Sequence, residues 1–186
     1  MIMKSVKNVK NTKNISKGKE EEEKEPYTLK RFLIDAVQVV GSALVLTFII
    51  LIFIQPSVVS GPSMQPTYYS KDFLILWRYG DIKRNDIIAF DSNNPSHDDY
   101  IKRVIAIEGD HLVISDSVVT VNGEVIDEPY IKESTFNGEV DMIISENCVF
   151  VMGDNRNDSK DSRAMGEINL DDVIGKVIIN FNKLFR

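Results

Sequence analysis

A run of nineteen residues without a charged side chain, at positions 36–54, constrains this chain more than any other feature. As an α-helix the run spans about 28 Å at 1.5 Å per residue, close to the thickness of the hydrocarbon core of a bilayer. A helix buried in a soluble core carries a polar stripe, whereas Thr47 is the only polar residue from position 43 to 54. The run therefore predicts a transmembrane anchor, which we place at residues 32–54.

Charge is distributed unevenly around this anchor. Residues 1–31 hold nine Lys/Arg and five Glu, a net of +4, whereas residues 32–186 hold thirteen Lys/Arg and twenty-three Asp/Glu, a net of −10. The positive N-terminal side predicts a single pass through the cell membrane, with residues 1–31 as a charged, disordered cytoplasmic tail and residues 55–186 outside. The acidic remainder argues against binding of nucleic acid.

A cleaved leader peptide is the alternative interpretation of the same segment. Its charged region would be unusually long, and a cut after Ser60 would remove the anchor. We therefore expect a retained anchor in contact with membrane lipid.

Beyond the anchor, the apolar residues come in short runs of strand length. Asn122-Gly123 separates two of these runs and is typical of a tight hairpin turn. The predicted strands are residues 73–77, 86–90, 100–107, 118–121, 124–126, 148–152 and 173–180. The sequence shows no helical period after the anchor. A mainly β fold is predicted, with an antiparallel β domain outside the membrane.

The cysteine and histidine content narrows the chemistry. Cys148 is the single cysteine, which excludes an intramolecular disulfide, and its apolar neighbours predict a small buried core residue. His97 and His111 lack both the spacing of a zinc site and a catalytic motif. We expect neither a metal nor another cofactor, and no triad built on histidine.

Ser63 is a candidate nucleophile. Pro62 and Pro66 bracket it, fix their own φ angles and lack N–H donors, so a rigid loop presents the serine hydroxyl and backbone N–H. Taken alone, the same segment is more simply explained as a turn between anchor and domain.

Lys102 is the candidate base. Strand alternation puts Tyr100, Lys102, Val104 and Ala106 on one face of the predicted strand, and Ile101, Arg103, Ile105 and Ile107 on the other. Both faces are largely apolar, which predicts a central strand with a desolvated basic residue. Burial without a counter-ion lowers a lysine pKa by about 3–5 units and leaves a neutral amine. A strand lysine that extends to water is the competing interpretation.

A dense polar segment, residues 153–163, follows the strand at 148–152. It is compatible with a solvated, self-capped turn. Its mixture of Asp154, Asp161, Arg156 and Arg163 also suits an ion-pair cluster that supports a site, in which Ser159 orients a neutral lysine amine.

Together with the anchor, these segments resemble type I signal peptidase (leader peptidase), in its single-anchor Gram-positive form. The resembling motifs, in the order of the family, are Ser63-Met64-Gln65-Pro66-Thr67, Tyr100-Ile101-Lys102-Arg103, and Gly153-Asp154-Asn155-Arg156-Asn157 with Ser159 and Asp161-Ser162-Arg163. The resemblance covers residues 32–180.

The resemblance implies a serine endopeptidase that removes signal peptides from exported preproteins through an acyl-enzyme. It implies Ser63 as nucleophile and oxyanion donor, Lys102 as general base, Ser159 as a hydrogen-bond partner of Lys102, and Asp154, Asp161 and Arg163 as supports. Residues 56–59 would pair with the extended substrate. Val59, Met64, Tyr100 and Ile101 would line its binding pockets, and a larger domain found in some members would shrink here to residues 110–145. A serine expected two positions before the nucleophile is replaced by Gly61, which leaves a side-chain oxyanion donor in doubt.

Three other functions are alternatives. A self-cleaving repressor-type protease shares serine–lysine chemistry, but it would be soluble. An anchored β module that binds a partner, such as an inactive homologue, would lack Ser63 or Lys102. A structural membrane protein predicts no effect of Ser63→Ala on any cleavage.

Overall fold

The computed structural model of the protein describes residues 28–92 and 99–184. The chain divides into two units at residue 42, so residues 43–186 contain the last part of the N-terminal helix and all the strands. Helix α1 spans Leu29–Phe53, and α2 and α3 are single turns at Ser162–Met165 and Phe181–Leu184. The strands are β1 Ile54–Val58, β2 Phe73–Trp77, β3 Ile87–Asp91, β4 Asp99–Ile107, β5 His111–Ser115, β6 Val118–Val121, β7 Glu124–Val125, β8 Val140–Ile143, β9 Cys148–Met152, β10 Ile168–Asn169 and β11 Val173–Asn180.

Helix α1 forms from the apolar run. Thr28 begins it by accepting the backbone N–H of Phe32 on its carbonyl and that of Arg31 on its hydroxyl. None of its residues is buried, and among the described residues it is the one helix long and apolar enough to cross a membrane. It ends one residue earlier than the predicted anchor, because Ile54 already pairs with Trp77 in the β domain.

Seven strands form the main sheet in the order β1-β2-β11-β3-β4-β9-β10, and every neighbouring pair is antiparallel. Strand β4 is an interior strand between β3 and β9, whereas β1 is an edge strand. Pro56 is tolerated in β1 because an edge strand leaves one row of backbone groups unpaired. The prediction of a mainly antiparallel β fold with one N-terminal apolar helix is confirmed.

A second sheet of four strands, in the order β7-β6-β5-β8, occupies residues 111–143. Its size matches the reduced insertion expected at residues 110–145. Its inner residues form one core cluster with Ile105 and Phe150 from β4 and β9.

The expected alternation along β4 is wrong beyond Val104. The register between β4 and β9 shifts between Val104 and Ala106, as in a β-bulge. Consequently Val104 packs in one core cluster with Ile107, while Ile105 and Ala106 pack together in another. Lys102 and Arg103 precede the shift, so it leaves their alternation intact.

Several elements were not predicted. Strands β1, β5, β8 and β10 were not predicted, and α2 begins at the end of the polar segment 153–163, where the Asp161 side chain accepts the backbone N–H of Arg163. Cys148 is partly rather than fully buried and packs against the core cluster shared by the two sheets. His97 lies outside the described residues.

Candidate active site

Ser63 lies in a turn that is fixed by its neighbours on both sides. Met64 is 1% exposed and packs with Val59 and Leu74 in the core beneath the turn. Gly61 has a φ of 89°, a conformation that favours glycine, and its N–H donates to Ser70 Oγ at 3.0 Å. The backbone N–H of Ser63 has no hydrogen-bond acceptor within residues 28–92 and 99–184, which leaves it available to a ligand.

Lys102 lies on β4, an interior strand of the main sheet, opposite Ile88 in β3. The residue is 4% exposed. Its Nζ lies 3.0 Å from Ser63 Oγ and 2.9 Å from the carbonyl oxygen of Ile101. Burial lowers the pKa of Lys102 from 10.5 to about 8, although the carboxylates of Asp161 and Asp154 act in the opposite direction. Lys102 is therefore desolvated in the fold, and its amine points at the Ser63 hydroxyl.

The two carboxylates that would keep Lys102 charged are each paired with an arginine. Arg103 makes a bidentate contact with Asp154, at 2.8 and 2.7 Å, and Thr67 Oγ1 also donates to this carboxylate. Burial is the largest single influence on Arg103 and lowers its pKa, but the hydrogen bond and the charge of Asp154, together with Tyr130 and Tyr68, jointly outweigh it and raise the pKa.

Arg163 contacts Asp161 in the same bidentate way, with two distances of 2.9 Å. Burial alone would raise the pKa of Asp161, but the hydrogen bonds from Arg163 and from the N–H of Gly153 hold it below its usual range. Both carboxylates are thus largely neutralised by guanidinium groups, which lets desolvation dominate at Lys102.

Residues 153–163, here called the support loop, also hold the serine turn. The Asn155 N–H donates to the Ser63 carbonyl at 3.0 Å, and Asn155 Nδ2 donates to the Pro62 carbonyl at 3.2 Å. A Cβ at Gly153 would lie 2.6 Å from the Ser63 carbonyl oxygen and 2.3 Å from Ser159 Oγ. Glycine is therefore required for this close approach.

The expected hydrogen bond between Ser159 and Lys102 is not formed in this structure. Ser159 Oγ is buried and has no hydrogen bond of standard geometry with the described residues, although its proximity helps lower the pKa of Asp161. Ser159 Oγ packs against Gly153, which also packs against the carbonyl oxygen of Ser63. Its role toward Lys102 stays a prediction.

A cleft of about 510 Å³ opens over Ser63 and Lys102. One wall is β1 with the residues that lead to the serine, and the other is the start of β4. Val59, Tyr100 and Ile101, three of the four predicted substrate-binding residues, line it. Met64, the fourth, is not among the lining residues, since it is buried in the core under the turn.

Sequence reasoning missed several residues that build this site. Thr67 and Arg103 stood inside recognised motifs, but nothing in the spacing showed that both contact Asp154. Glu128 and Tyr130, which contact Arg156 and Arg103, fall in a polar stretch without periodicity. The one signal in the sequence was the number of arginines in the motifs, because a buried arginine needs an acidic or aromatic partner.

Neither His111 nor a metal cluster belongs to this site. His111 is on β5 of the second sheet, where Nε2 lies 2.7 Å from Asp141 Oδ1. The described part of the chain contains no group of three or more His, Cys, Asp or Glu that could hold a metal ion.

The fold and this site define a mainly antiparallel β protein built around a paired serine and lysine. Comparison with protein families matches residues 33–182 to signal peptidase, peptidase S26. The chain belongs to this family, and it is accordingly a serine peptidase of the signal peptidase class.

Individual relatives agree with the family match. A signal peptidase I of Bacillus caldolyticus is 38% identical over 138 residues, covering 64% of this chain and 75% of the relative. A signal peptidase IB of Staphylococcus aureus is 31% identical over 176 residues, covering 82% and 91%. A signal peptidase I P of Bacillus subtilis subsp. natto is 32% identical over 173 residues, covering 84% and 93%.

Proposed function

We propose that this chain is a membrane-bound endopeptidase that removes N-terminal signal peptides from exported preproteins, with Ser63 as nucleophile and Lys102 as general base. The observation that carries the proposal is the 3.0 Å contact between Lys102 Nζ and Ser63 Oγ, made where burial lowers the lysine pKa to about 8. A serine is a weak nucleophile at its own pKa and needs such an adjacent base.

In the first half-reaction, the neutral amine donates an N–H to the Ile101 carbonyl and turns its lone pair toward the Ser63 hydroxyl. Ser63 Oγ attacks the scissile carbonyl while Lys102 takes the hydroxyl proton. The resulting ammonium then protonates the leaving amine, the C–N bond breaks, and the signal peptide remains as an ester on Ser63.

In the second half-reaction, water replaces the departed amine. Lys102 takes a proton from that water as the water oxygen attacks the ester, and returns the proton to Ser63 Oγ when the ester bond breaks. The backbone N–H of Ser63 donates to the oxyanion in both steps, which fits its lack of an acceptor among the described residues. Asp154, Asp161, Arg163 and Ser159 support this arrangement.

The substrate would bind as an added strand. Strand β1 is an edge strand, and residues 56–59 line the cleft with Tyr100 and Ile101 on the opposite wall. Val59, Tyr100 and Ile101 would then contact the residues before the cut, with Met64 beneath them, and the shallow pockets would favour small side chains such as alanine.

The domains proposed for this activity are a cytoplasmic tail at residues 1–31, an anchor at 32–54 and an extracytoplasmic protease domain at 55–186. Helix α1 supports a single-pass anchor, and the Lys/Arg excess before it supports a cytoplasmic N terminus. The partners implied by this arrangement are exported preproteins and the membrane lipid.

Cleavage of a purified preprotein by the full-length chain in detergent tests the proposal. We expect Ser63→Ala and Lys102→Ala each to lower the rate by at least about a thousandfold, because nucleophile and base act as one unit. Ser60→Ala is the matched control, since this exposed serine of the same loop should change the rate less than tenfold.

Two results would contradict the mechanism. Full activity of Ser63→Ala would assign the chemistry to another residue and favour a non-enzymatic role for the pair. Loss of activity on chelation by EDTA would show that the reaction needs a metal ion.

A further inference from the structure

Residues 128–137, here called the strap, belong to the connection between two strands of the second sheet and pack against the support loop. The strap is non-repetitive and lies between β7 and β8. Its contacts with the support loop are Glu128 with Arg156 at 3.0 and 2.5 Å, Lys132 N–H with the Asp154 carbonyl at 2.9 Å, Asn157 Nδ2 with the Thr135 carbonyl at 2.9 Å, and Arg163 Nη1 with the Asn137 carbonyl at 2.8 Å. The loop that braces the serine and lysine is therefore itself held along its length.

The Glu128–Arg156 ion pair is the most deeply buried of these contacts. The side chains are 8% and 0% exposed, respectively. Tyr130 Oη donates to Glu128 Oε1 at 3.0 Å, and Arg156 Nε donates to the Gly153 carbonyl at 3.1 Å. Burial of two charges is costly, so a buried pair is weak evidence for a role in stability alone. Its bidentate geometry instead fixes the position of the arginine backbone.

Arg156 lies one residue from the contact that matters to catalysis. Its neighbour Asn155 donates its backbone N–H to the Ser63 carbonyl at 3.0 Å and its side chain to the Pro62 carbonyl. The carbonyl of Arg156 also accepts Arg163 Nη2 at 2.6 Å, and Arg163 pairs with Asp161. A displacement of Arg156 would thus reach the serine turn on one side and the Asp161 carboxylate on the other.

We propose that Glu128 is a positioning residue for the cleavage reaction, acting through Arg156 on the backbone that holds Ser63 against Lys102. This inference rests on the serine–lysine mechanism proposed above. Because a misplacement of reacting atoms by about 1 Å can cost about a hundredfold in rate, the effect belongs to the turnover rate rather than to substrate binding. The cleft-lining residues do not include Glu128 or Arg156, so KM has no direct reason to change.

The test is steady-state cleavage of a signal-peptide substrate by full-length Glu128→Gln, which keeps the side-chain length and loses the charge. We expect kcat to fall about tenfold with KM within twofold of wild type, at a temperature well below the unfolding midpoint. Asp110→Asn is the matched control. This variant breaks the ion pair between Asp110 and Arg84. The Asp110 carboxylate is also largely buried, and no ion pair or hydrogen bond among the described residues joins this pair to the support loop. The kcat of this variant should stay within twofold while its unfolding temperature falls.

A double-mutant cycle separates positioning from general loosening. If Glu128 acts through Arg156, then Glu128→Gln combined with Arg156→Gln loses no more kcat than Arg156→Gln alone. Should the glutamine variants not fold, Tyr130→Phe removes one hydrogen bond to the same carboxylate, and we expect about a threefold loss of kcat.

Three outcomes would overturn the proposal: an unchanged kcat in Glu128→Gln, additive losses in the cycle, or, where the glutamine variants do not fold, an unchanged kcat in Tyr130→Phe. Failure of the serine–lysine mechanism is distinguished because it would appear as retained cleavage in Ser63→Ala, whatever the behaviour of Glu128.

Discussion

Lys102 is held between two opposing influences. Its removal from water favours the neutral amine, while Asp161 and Asp154 favour the ammonium. Desolvation dominates because Arg163 and Arg103 already occupy those carboxylates at 2.7–2.9 Å. The result is a pKa of about 8, low enough that a useful fraction of the amine is neutral near neutral pH.

The pH dependence of cleavage follows from this pKa. We expect kcat/KM of the free enzyme to rise about tenfold per pH unit up to about pH 8, where Lys102 becomes neutral, and then to level off. A profile recorded with a substrate that has no titrating group near the cleavage site checks this. A rate still rising through pH 10 would show that the lysine keeps its ordinary pKa.

The same pKa predicts that Lys102 destabilises the fold. Because the folded pKa of about 8 lies below 10.5, the unfolded chain binds more protons between these values, so wild-type stability rises with pH across this window. At about 1.4 kcal/mol per pH unit, the cost is about 3 kcal/mol below pH 8. Lys102→Met should therefore raise the free energy of unfolding at pH 7 by up to about 3 kcal/mol, less the value of the lost hydrogen bonds.

Urea unfolding of wild type and Lys102→Met at a series of pH values measures this difference. The advantage of the variant should shrink steadily between pH 8 and 10.5, as the wild-type lysine becomes neutral in both states. An advantage that is constant with pH would mean that methionine packs better, and that charge burial contributes nothing.

At the scale of elements, the support loop modulates the pKa of Lys102, which lies on β4. Arg163→Gln leaves the Asp161 carboxylate without its bidentate partner while Gly153 still donates to it. The less neutralised carboxylate would raise the Lys102 pKa, so the rising limb of the pH–rate profile should move to higher pH by about half a unit or more. Lys176→Gln is the control. It removes the ion pair between Lys176 on β11 and Asp86, and it should leave the pH–rate profile in place. An unshifted profile in Arg163→Gln would contradict the charge balance described here.

The elements also show what the sequence could predict. Strands β2, β6, β9 and β11 were predicted at their observed bounds, because their apolar runs are dense and bounded by turn residues. Strand β1 was missed because it continues directly from the helix and contains Pro56. The pairing of Ser63 with Lys102 was anticipated from their motifs. Asp154, Asp161 and Arg163 were anticipated as supports in the same way. Glu128, Tyr130 and Thr67 were not, because they reach the site through tertiary contacts that no local period encodes.

For the whole molecule, the proposed anchor would confine the enzyme and its membrane-borne substrates to the same surface. Their encounter would then depend on surface concentration rather than on bulk concentration. Below saturation, raising the amount of lipid and detergent in mixed micelles tenfold, at fixed protein and preprotein, should lower the cleavage rate about tenfold. A short water-soluble peptide with the same cleavage site is the control, and its rate should change little. Equal dilution effects on both substrates would indicate inhibition by the micelles, whereas no effect on the preprotein would indicate that the apolar helix does not hold the enzyme at the substrate's surface.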